Sequence, residues 1–373
     1  MIRLLGIGIP TVIVAPAQAA QLQEGQELGV DGEAGVIAAP EALPAPATEW
    51  LEDQDTRPRL GAPIRTADGQ EVALRASIGD RTGAAAALAN GAEAVGLVRS
   101  EYLTARLSEP PDATFFKSAL RNLCEAARPL TLTIRTLDIA ADKRPPWLPP
   151  APGMQGPIGL QGSRLYDREP LHSVFLAQLD ALAILAQDFP LRLLLPYISK
   201  PEEFRRWRDV VRDHLPGSVP LGTMAETPAA VLEMSEWAGL ADFVAVGCND
   251  LMQCLFAADR DVSEVAPLLD PYAPALYRLL RCLVAGADDR TPEIQLCGLL
   301  PQVTGVLPAL LGLGFRAFSV EPVLVPRLAR DIVAVDVTEA EGLAEVVCAQ
   351  HDSASVRSLL GVSASQAWAF GAA

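Results

Sequence analysis

Cations are scarce in this sequence: 30 Lys and Arg face 46 Asp and Glu, a formal net charge of −16 over 373 residues. A face that contacts nucleic-acid phosphates needs clustered Lys and Arg. That class of partner is excluded, whereas a local basic pocket for one small anion is not. No apolar run reaches the roughly 18–20 residues that span a bilayer, which predicts a soluble protein with no membrane partner. No Cys-x-x-Cys pair occurs among the six cysteines, Cys124, Cys248, Cys254, Cys282, Cys297 and Cys348. Their spacing fits neither a zinc site nor a small disulfide scaffold, so reduced, mostly buried thiols in a cytoplasmic protein are expected. Only three histidines occur, His172, His214 and His351; they fall in stretches read as helical and are expected at the surface.

What is present has a globular composition, 50% apolar and 20% charged. Arg3, the apolar stretch from Leu4 to Val14 and the run Ala15-Pro16-Ala17-Gln18-Ala19 imitate a secretory signal peptide. Gly6, Gly8 and Pro10 interrupt such a helix, and the alternative is a strand over 10–14. Val30-Asp31-Gly32 with Gly35-Val36-Ile37 reads as a hairpin turning on Asp-Gly. A Pro-rich, then charged segment over 38–60 reads as a linker, giving a small β-rich unit over 1–42, a linker over 43–70 and the main domain over 71–373.

In the main domain, β-rich segments recur at 72–76, 94–98, 130–137, 191–197, 219–224, 243–247, 294–297 and 317–320. Ala- and Leu-rich helical stretches separate most of them, at 82–90, 170–187, 200–214, 228–239 and 302–313, and the tail from Arg330 reads as closing helices. Strands alternating with helices mean a parallel sheet with crossovers. Eight of them predict an α/β fold, a closed (β/α)8 TIM barrel. In such a barrel, chemistry is built at the C-terminal ends of the strands, and polar residues fall there repeatedly. Arg99-Ser100-Glu101, Arg135 with Asp138, Glu226-Thr227-Pro228, Asn249-Asp250, Cys297-Gly298 and Ser319 with Glu321 each follow a strand.

Two carboxylates, Glu226 and Asp250, are few for a calcium cage but suit Mg²⁺, which keeps waters and takes ligands from substrate. Arg99 and Arg135 offer planar forks for phosphate or carboxylate, and Arg260 lies within reach beyond Asp250. Cys297 would be protonated at neutral pH and able to act as an acid. Each feature has a plainer explanation: an interstrand ion pair, a helix start favoured by the dipole, a packed core thiol. Their convergence on one rim favours a site for a small anion, a metal and one proton transfer.

The motifs GAEAVGLVRSEYL (91–103), TIRTLDIAADK (133–143), MAETPAA (224–230), GCNDLMQ (247–253), AADR (257–260) and LCG (296–298) resemble enzyme I of the bacterial phosphoenolpyruvate:sugar phosphotransferase system. More broadly, they resemble the phosphoenolpyruvate-utilising enzymes. LGIGIPTVIV with VDGEAGVI resembles the end of that family's swivelling phosphohistidine domain, which weighs against a signal peptide. The resemblance implies that Arg99, Arg135 and Arg260 hold the phosphate with Asn249, and that Arg164 aids binding. It implies that Glu226 and Asp250 bind Mg²⁺ and that Cys297 protonates the methylene carbon of enolpyruvate. The phosphoryl group would pass to a histidine of a phosphohistidine domain and then to a carrier protein, and the barrel would form a homodimer. Three departures stand out. The family's Thr-Ser-His is not found, Gln161 replaces an arginine, and Leu299 replaces a glutamate. The last two should weaken binding about ten- to a hundredfold per lost charged hydrogen bond, or mark a degenerate ligand-sensing or scaffolding relative. A Mg²⁺-dependent pyruvate aldolase or lyase is a third reading of the same Glu and Asp pair.

Overall fold

The structure, a computed structural model, describes residues 12, 14, 19–31, 36–43, 59–154, 156, 158–286 and 293–363. Residues 10, 11 and 13 of the expected strand or leader, the linker core at 44–58 and the tail beyond 363 fall outside these residues. β1 (Gly29–Asp31) and β2 (Val36–Ala38) pair antiparallel as the expected hairpin.

Eight strands form the body of the domain: β4 (Glu71–Ile78), β5 (Val95–Arg99), β6 (Leu132–Arg135), β7 (Leu191–Leu195), β8 (Leu221–Ala225), β9 (Phe243–Gly247), β10 (Glu293–Cys297) and β11 (Ala317–Val320). Each pairs parallel with the next, and β11 pairs parallel with β4, which closes the barrel. The chain is a (β/α)8 barrel. A short β3 (Ile64–Arg65) lies antiparallel on the start of β4, so pairing begins within the segment read as linker.

The strands are nearly continuous runs of buried residues because both faces are covered, by helices outside and by side chains inside. Inward positions alternate, and Leu97, Leu194, Met224, Phe243, Ala245 and Cys297 form an apolar plug in the barrel. Glycine appears where this filling leaves no room. A Cβ on Gly222 would sit 2.5 Å from the Phe243 ring. Beneath the plug, toward the N-terminal ends of the strands, Arg75 and Arg192 both pair with Glu293.

The helices are α1 (Arg81–Ala89), α2 (Glu101–Thr104), α3 (Ala113–Ala126), α4 (Leu171–Leu185), α5 (Pro201–His214), α6 (Pro228–Leu232), α7 (Cys248–Phe256), α8 (Pro274–Ala285), α9 (Val306–Gly312), α10 (Val325–Val333), α11 (Val337–Ala349) and α12 (Ser353–Leu359). Sequence reading did not name α3, α7 and α8. The single helix expected at 228–239 is α6 followed by a 3-10 turn at Met234–Trp237. Buried Trp237 folds back there and donates its indole N–H to Ala230 O at 2.9 Å. The stretch at 302–313 likewise becomes helical only from Val306, after Gly305 at φ 76°. His351 lies in an exposed bend between α11 and α12 rather than in a helix. Among the described residues no helix is long and apolar enough to cross a membrane.

Candidate active site

The C-terminal ends of the strands gather one charged network. Arg135, at the end of β6, is 4% exposed. It meets Glu101 Oε1 at 2.5 Å, Asp138 Oδ2 at 2.8 Å and Glu226 Oε1 at 3.8 Å. Asp138 also pairs with Lys143. Burial alone would raise the Asp138 carboxyl, but Arg135 and Lys143 together hold it below its ordinary range. Arg99, at the end of β5, donates to Glu321 Oε1 at 3.0 Å beyond β11. Both arginines are therefore braced by carboxylates, as well as being placed at the rim. Buried polar groups are almost always paired, yet Arg135 Nε and Glu101 Oε2 are buried without a hydrogen-bond partner among the described residues.

Glu226 follows β8 and is 1% exposed. Its Oε2 accepts from the backbone N–H of Tyr197 at 2.9 Å, a residue held at φ 52° just past the end of β7. Gly247 makes room opposite, since a Cβ there would lie 2.5 Å from Glu226 Cγ and Oε1. Burial, reinforced by the neighbouring Asp138 and Asp250 carboxylates, pushes Glu226 well above the usual carboxylate range against the pull of Arg135 and Lys143. Asp250, on the first turn of α7, accepts from Gln253 Nε2 at 2.8 Å and faces Arg260 Nη1 at 3.6 Å. Arg260 is further tied to Asp142 at 3.0 Å and, through its backbone N–H, to Gln253. A cavity of about 290 Å³ opens here, lined by Asp142, Gln161, Asp250, Gln253, Asp259 and Arg260.

Cys297 ends β10, buried, and its sulfur accepts from Gln295 Nε2 at 3.1 Å. Burial pushes the thiol up to about 11, against the hydrogen bond from Gln295 and the charges of Arg99 and Arg135. It is a protonated acid at neutral pH. The next residue, Gly298 (φ 99°), passes so near Asn249 that a Cβ would lie 2.8 Å from Asn249 Oδ1. That oxygen accepts the backbone N–H of Leu299 at 3.1 Å, so Asn249 ties the Cys297 turn to α7. The Leu299 side chain is buried. Arg164 sits one step outward, donating to Ser199 Oγ at 2.6 Å with its guanidinium 4.8 Å from the Tyr197 ring centroid.

Arg135, Glu226, Asp250, Arg260 and Cys297 thus share one mouth, with Arg99 beside Arg135 and Arg164 at the margin. Sequence reading gave no role to Glu101, Asp138, Lys143, Tyr197, Glu321 or Gln295. Glu101, Asp138 and Glu321 were already placed at strand ends by the sequence, without a task or a partner. Gln295 could be found from the alternation of β10, which puts Glu293, Gln295 and Cys297 on one face.

Residues 54–337 match the model of the PEP-utilising enzyme family, PEP-binding domain. The chain belongs to this family. It is 30% identical over 368 residues to the phosphoenolpyruvate-protein phosphotransferase of Haloferax volcanii, covering 95% of this chain and 64% of that protein. The protein of the same name from Bacillus subtilis is 28% identical, with 93% and 64% covered. Multiphosphoryl transfer protein 2 of Escherichia coli is 29% identical, with 94% and 44% covered. The chain therefore spans less than two thirds of the length of these curated relatives. A crystal structure of a HpcH/Hpal aldolase/citrate lyase family protein from Burkholderia cenocepacia covers 79% of this chain and 97% of its own at 16% identity. Its TM-score of 0.40 is too low to bear on fold or chemistry.

Proposed function

We propose that this chain binds phosphoenolpyruvate together with Mg²⁺ in the barrel mouth and serves a phosphoenolpyruvate-protein phosphotransferase reaction, in which a histidine of a phosphohistidine domain accepts the phosphoryl group. The observation that carries the reading is the meeting, at one rim, of guanidinium forks, two hard carboxylates and a protonated thiol. The donor set fits the metal. Among the described residues no group of three His, Cys, Asp or Glu could cage an ion. Two neighbouring carboxylates, Glu226 buried and Asp250 on the cavity wall, suit an ion that completes its shell with water and substrate oxygens. The charge balance argues the same way. Arg135, Lys143 and Arg260 are already matched by Glu101, Asp138, Glu226, Asp250 and Asp142, so a polyanion is best received with a divalent cation. When bound, Mg²⁺ would neutralise phosphate and enolate oxygens.

The chain's own groups then have separate tasks. Arg99, Arg135 and Arg260 orient the phosphoryl oxygens, with Asn249 and Arg164 completing the grip. The bond from phosphorus to the enol oxygen breaks as one forms to the acceptor histidine nitrogen. Cys297 gives its proton to the methylene carbon of the enolate, yielding pyruvate, and the thiolate regains a proton from solvent. A carrier protein downstream and a homodimer joined through the barrel belong to the same reading, on the strength of the resemblance. Incubating the chain with radiolabelled phosphoenolpyruvate, Mg²⁺ and the phosphohistidine domain of a relative tests it. Label should appear on that domain, and no transfer at any metal concentration would contradict the reading.

A second reading has specific support. Leu299 fills with hydrocarbon the place where the family carries a carboxylate, and Gln161 lines the cavity where the family carries an arginine. A scaffolding or ligand-sensing dimer would keep its assembly and its partners in Glu226→Ala; dependence of those contacts on Glu226 and Mg²⁺ would refute it.

A further inference from the structure

Gln295 stands two residues before Cys297 on β10, so the alternation of the strand puts both side chains inside the barrel. Gln295 is 1% exposed, and all three of its amide positions are engaged. Nε2 donates to Cys297 Sγ at 3.1 Å and to Gly96 O at 3.0 Å. Oε1 accepts from Arg75 Nη1 at 3.0 Å. Reversing the amide would set its oxygen against the Gly96 carbonyl and its NH2 against a guanidinium, so the orientation is determined. Arg75 is fixed in turn by both oxygens of Glu293, at 2.5 and 2.9 Å. Gly96 is needed for the approach, because a Cβ would lie 2.7 Å from both Gln295 Oε1 and Ser319 Oγ.

We propose that Gln295, locked by Arg75, is a positioning residue for the proton donor: its N–H caps the Cys297 sulfur from the barrel interior, aims the S–H toward the mouth and supports the thiolate left after transfer. This rests on the reading of Cys297 as the donor. Gln295 presents its amide nitrogen, which cannot accept, to the sulfur and keeps its oxygen on Arg75, so the sulfur is the acceptor and its hydrogen points elsewhere. The other groups acting on the sulfur are Arg99 and Arg135, which favour the thiolate, and Glu226, which opposes it. Buried Cys248 lies close by as well. Charged residues at the far end of the barrel, Arg75 and Glu293, are thereby linked to the chemistry at its mouth.

The S–H stretching band of Cys297, isolated by subtracting the infrared spectrum of Cys297→Ala, tests this directly in the full chain without ligand. In Gln295→Leu the band should shift and the thiol should ionise at higher pH. Proton transfer to the enolate should fall about ten- to a hundredfold, the worth of one hydrogen bond to a charged group, while phosphoenolpyruvate affinity holds. Arg75→Met should move the band the same way, by less, because it frees the amide to turn. If Gln295→Leu does not fold, Gln295→Asn withdraws the amide by one methylene and serves in its place. An unmoved band in a folded variant would overturn the proposal, whatever the ligand data. A shifted band in a protein that does not bind phosphoenolpyruvate would leave this hydrogen bond standing and defeat the proposed function instead.

Discussion

Asp138 carries two cations on one buried oxygen, with Arg135 at 2.8 Å and Lys143 closer still. Removing the carboxylate leaves buried Arg135 and half-buried Lys143 short of a partner, and breaking buried networks costs about 3–5 kcal/mol. Asp138→Asn should therefore lower stability by about 3 kcal/mol in denaturant titrations; a loss within experimental noise would mean that water supports Arg135 and Lys143 instead. Cys297 has a different signature. Burial pushes the thiol up to about 11, so in the proposed reaction it keeps its proton across the physiological range. Cys297→Ala should leave ligand affinity intact and slow pyruvate formation by about 10²–10⁴, the usual contribution of a positioned acid. Equal turnover in the variant would show that another group or solvent supplies the proton.

Elements hold these residues through close approaches that only glycine permits. Gly247 ends β9 facing Glu226, and an added Cβ would lie 2.5 Å from the Glu226 carboxylate. Gly247→Ala should push Glu226 off its place and weaken metal-dependent binding while the barrel stays folded, as ligand titration and circular dichroism would show together. Gly222→Ala meets the Phe243 ring in the barrel interior instead. It should cost stability, by about 1–3 kcal/mol for an overpacked core; if it leaves melting unchanged, the ring has room that the structure does not show. At this scale the strands were legible because each is a short apolar run buried on both faces, and the polar residues after most runs mark the mouth. The helices were less legible. α3 places Phe116, Leu120, Leu123 and Cys124 on its buried face behind an Asp112 cap, a helical period that could have been read. The break in the 228–239 helix could not, since it depends on Trp237 folding back onto Ala230.

The barrel as a whole carries charge at both ends and an apolar plug between them. The polar end at the mouth was readable as a set of residue types. Its pairing was not, because Arg99 with Glu321 and Arg135 with Glu101 join residues brought together only by closure of the barrel. The charged layer at the other end escaped for the same reason: Arg75 and Glu293 are far apart in sequence and meet across the interior. Arg75 and Arg192 outweigh partial burial and hold the Glu293 carboxyl down to about 2. A depressed carboxyl contributes stability above its unfolded value and loses it as pH falls toward the folded one. Glu293→Gln should thus be less stable than the parent at neutral pH, and the gap should close between about pH 5 and 2. A gap that persists at the acid end would mean that packing, rather than charge, is lost in the variant.

The central claim is that one mouth holds phosphoenolpyruvate and a divalent cation together. Calorimetric titration of phosphoenolpyruvate into the purified chain, with and without Mg²⁺ and alongside Glu226→Ala, tests it most directly. Binding should require Mg²⁺ and be lost in Glu226→Ala. No binding at millimolar ligand, or binding indifferent to the metal and to Glu226, would contradict it and leave Gln161 and Leu299 as the marks of a site no longer used.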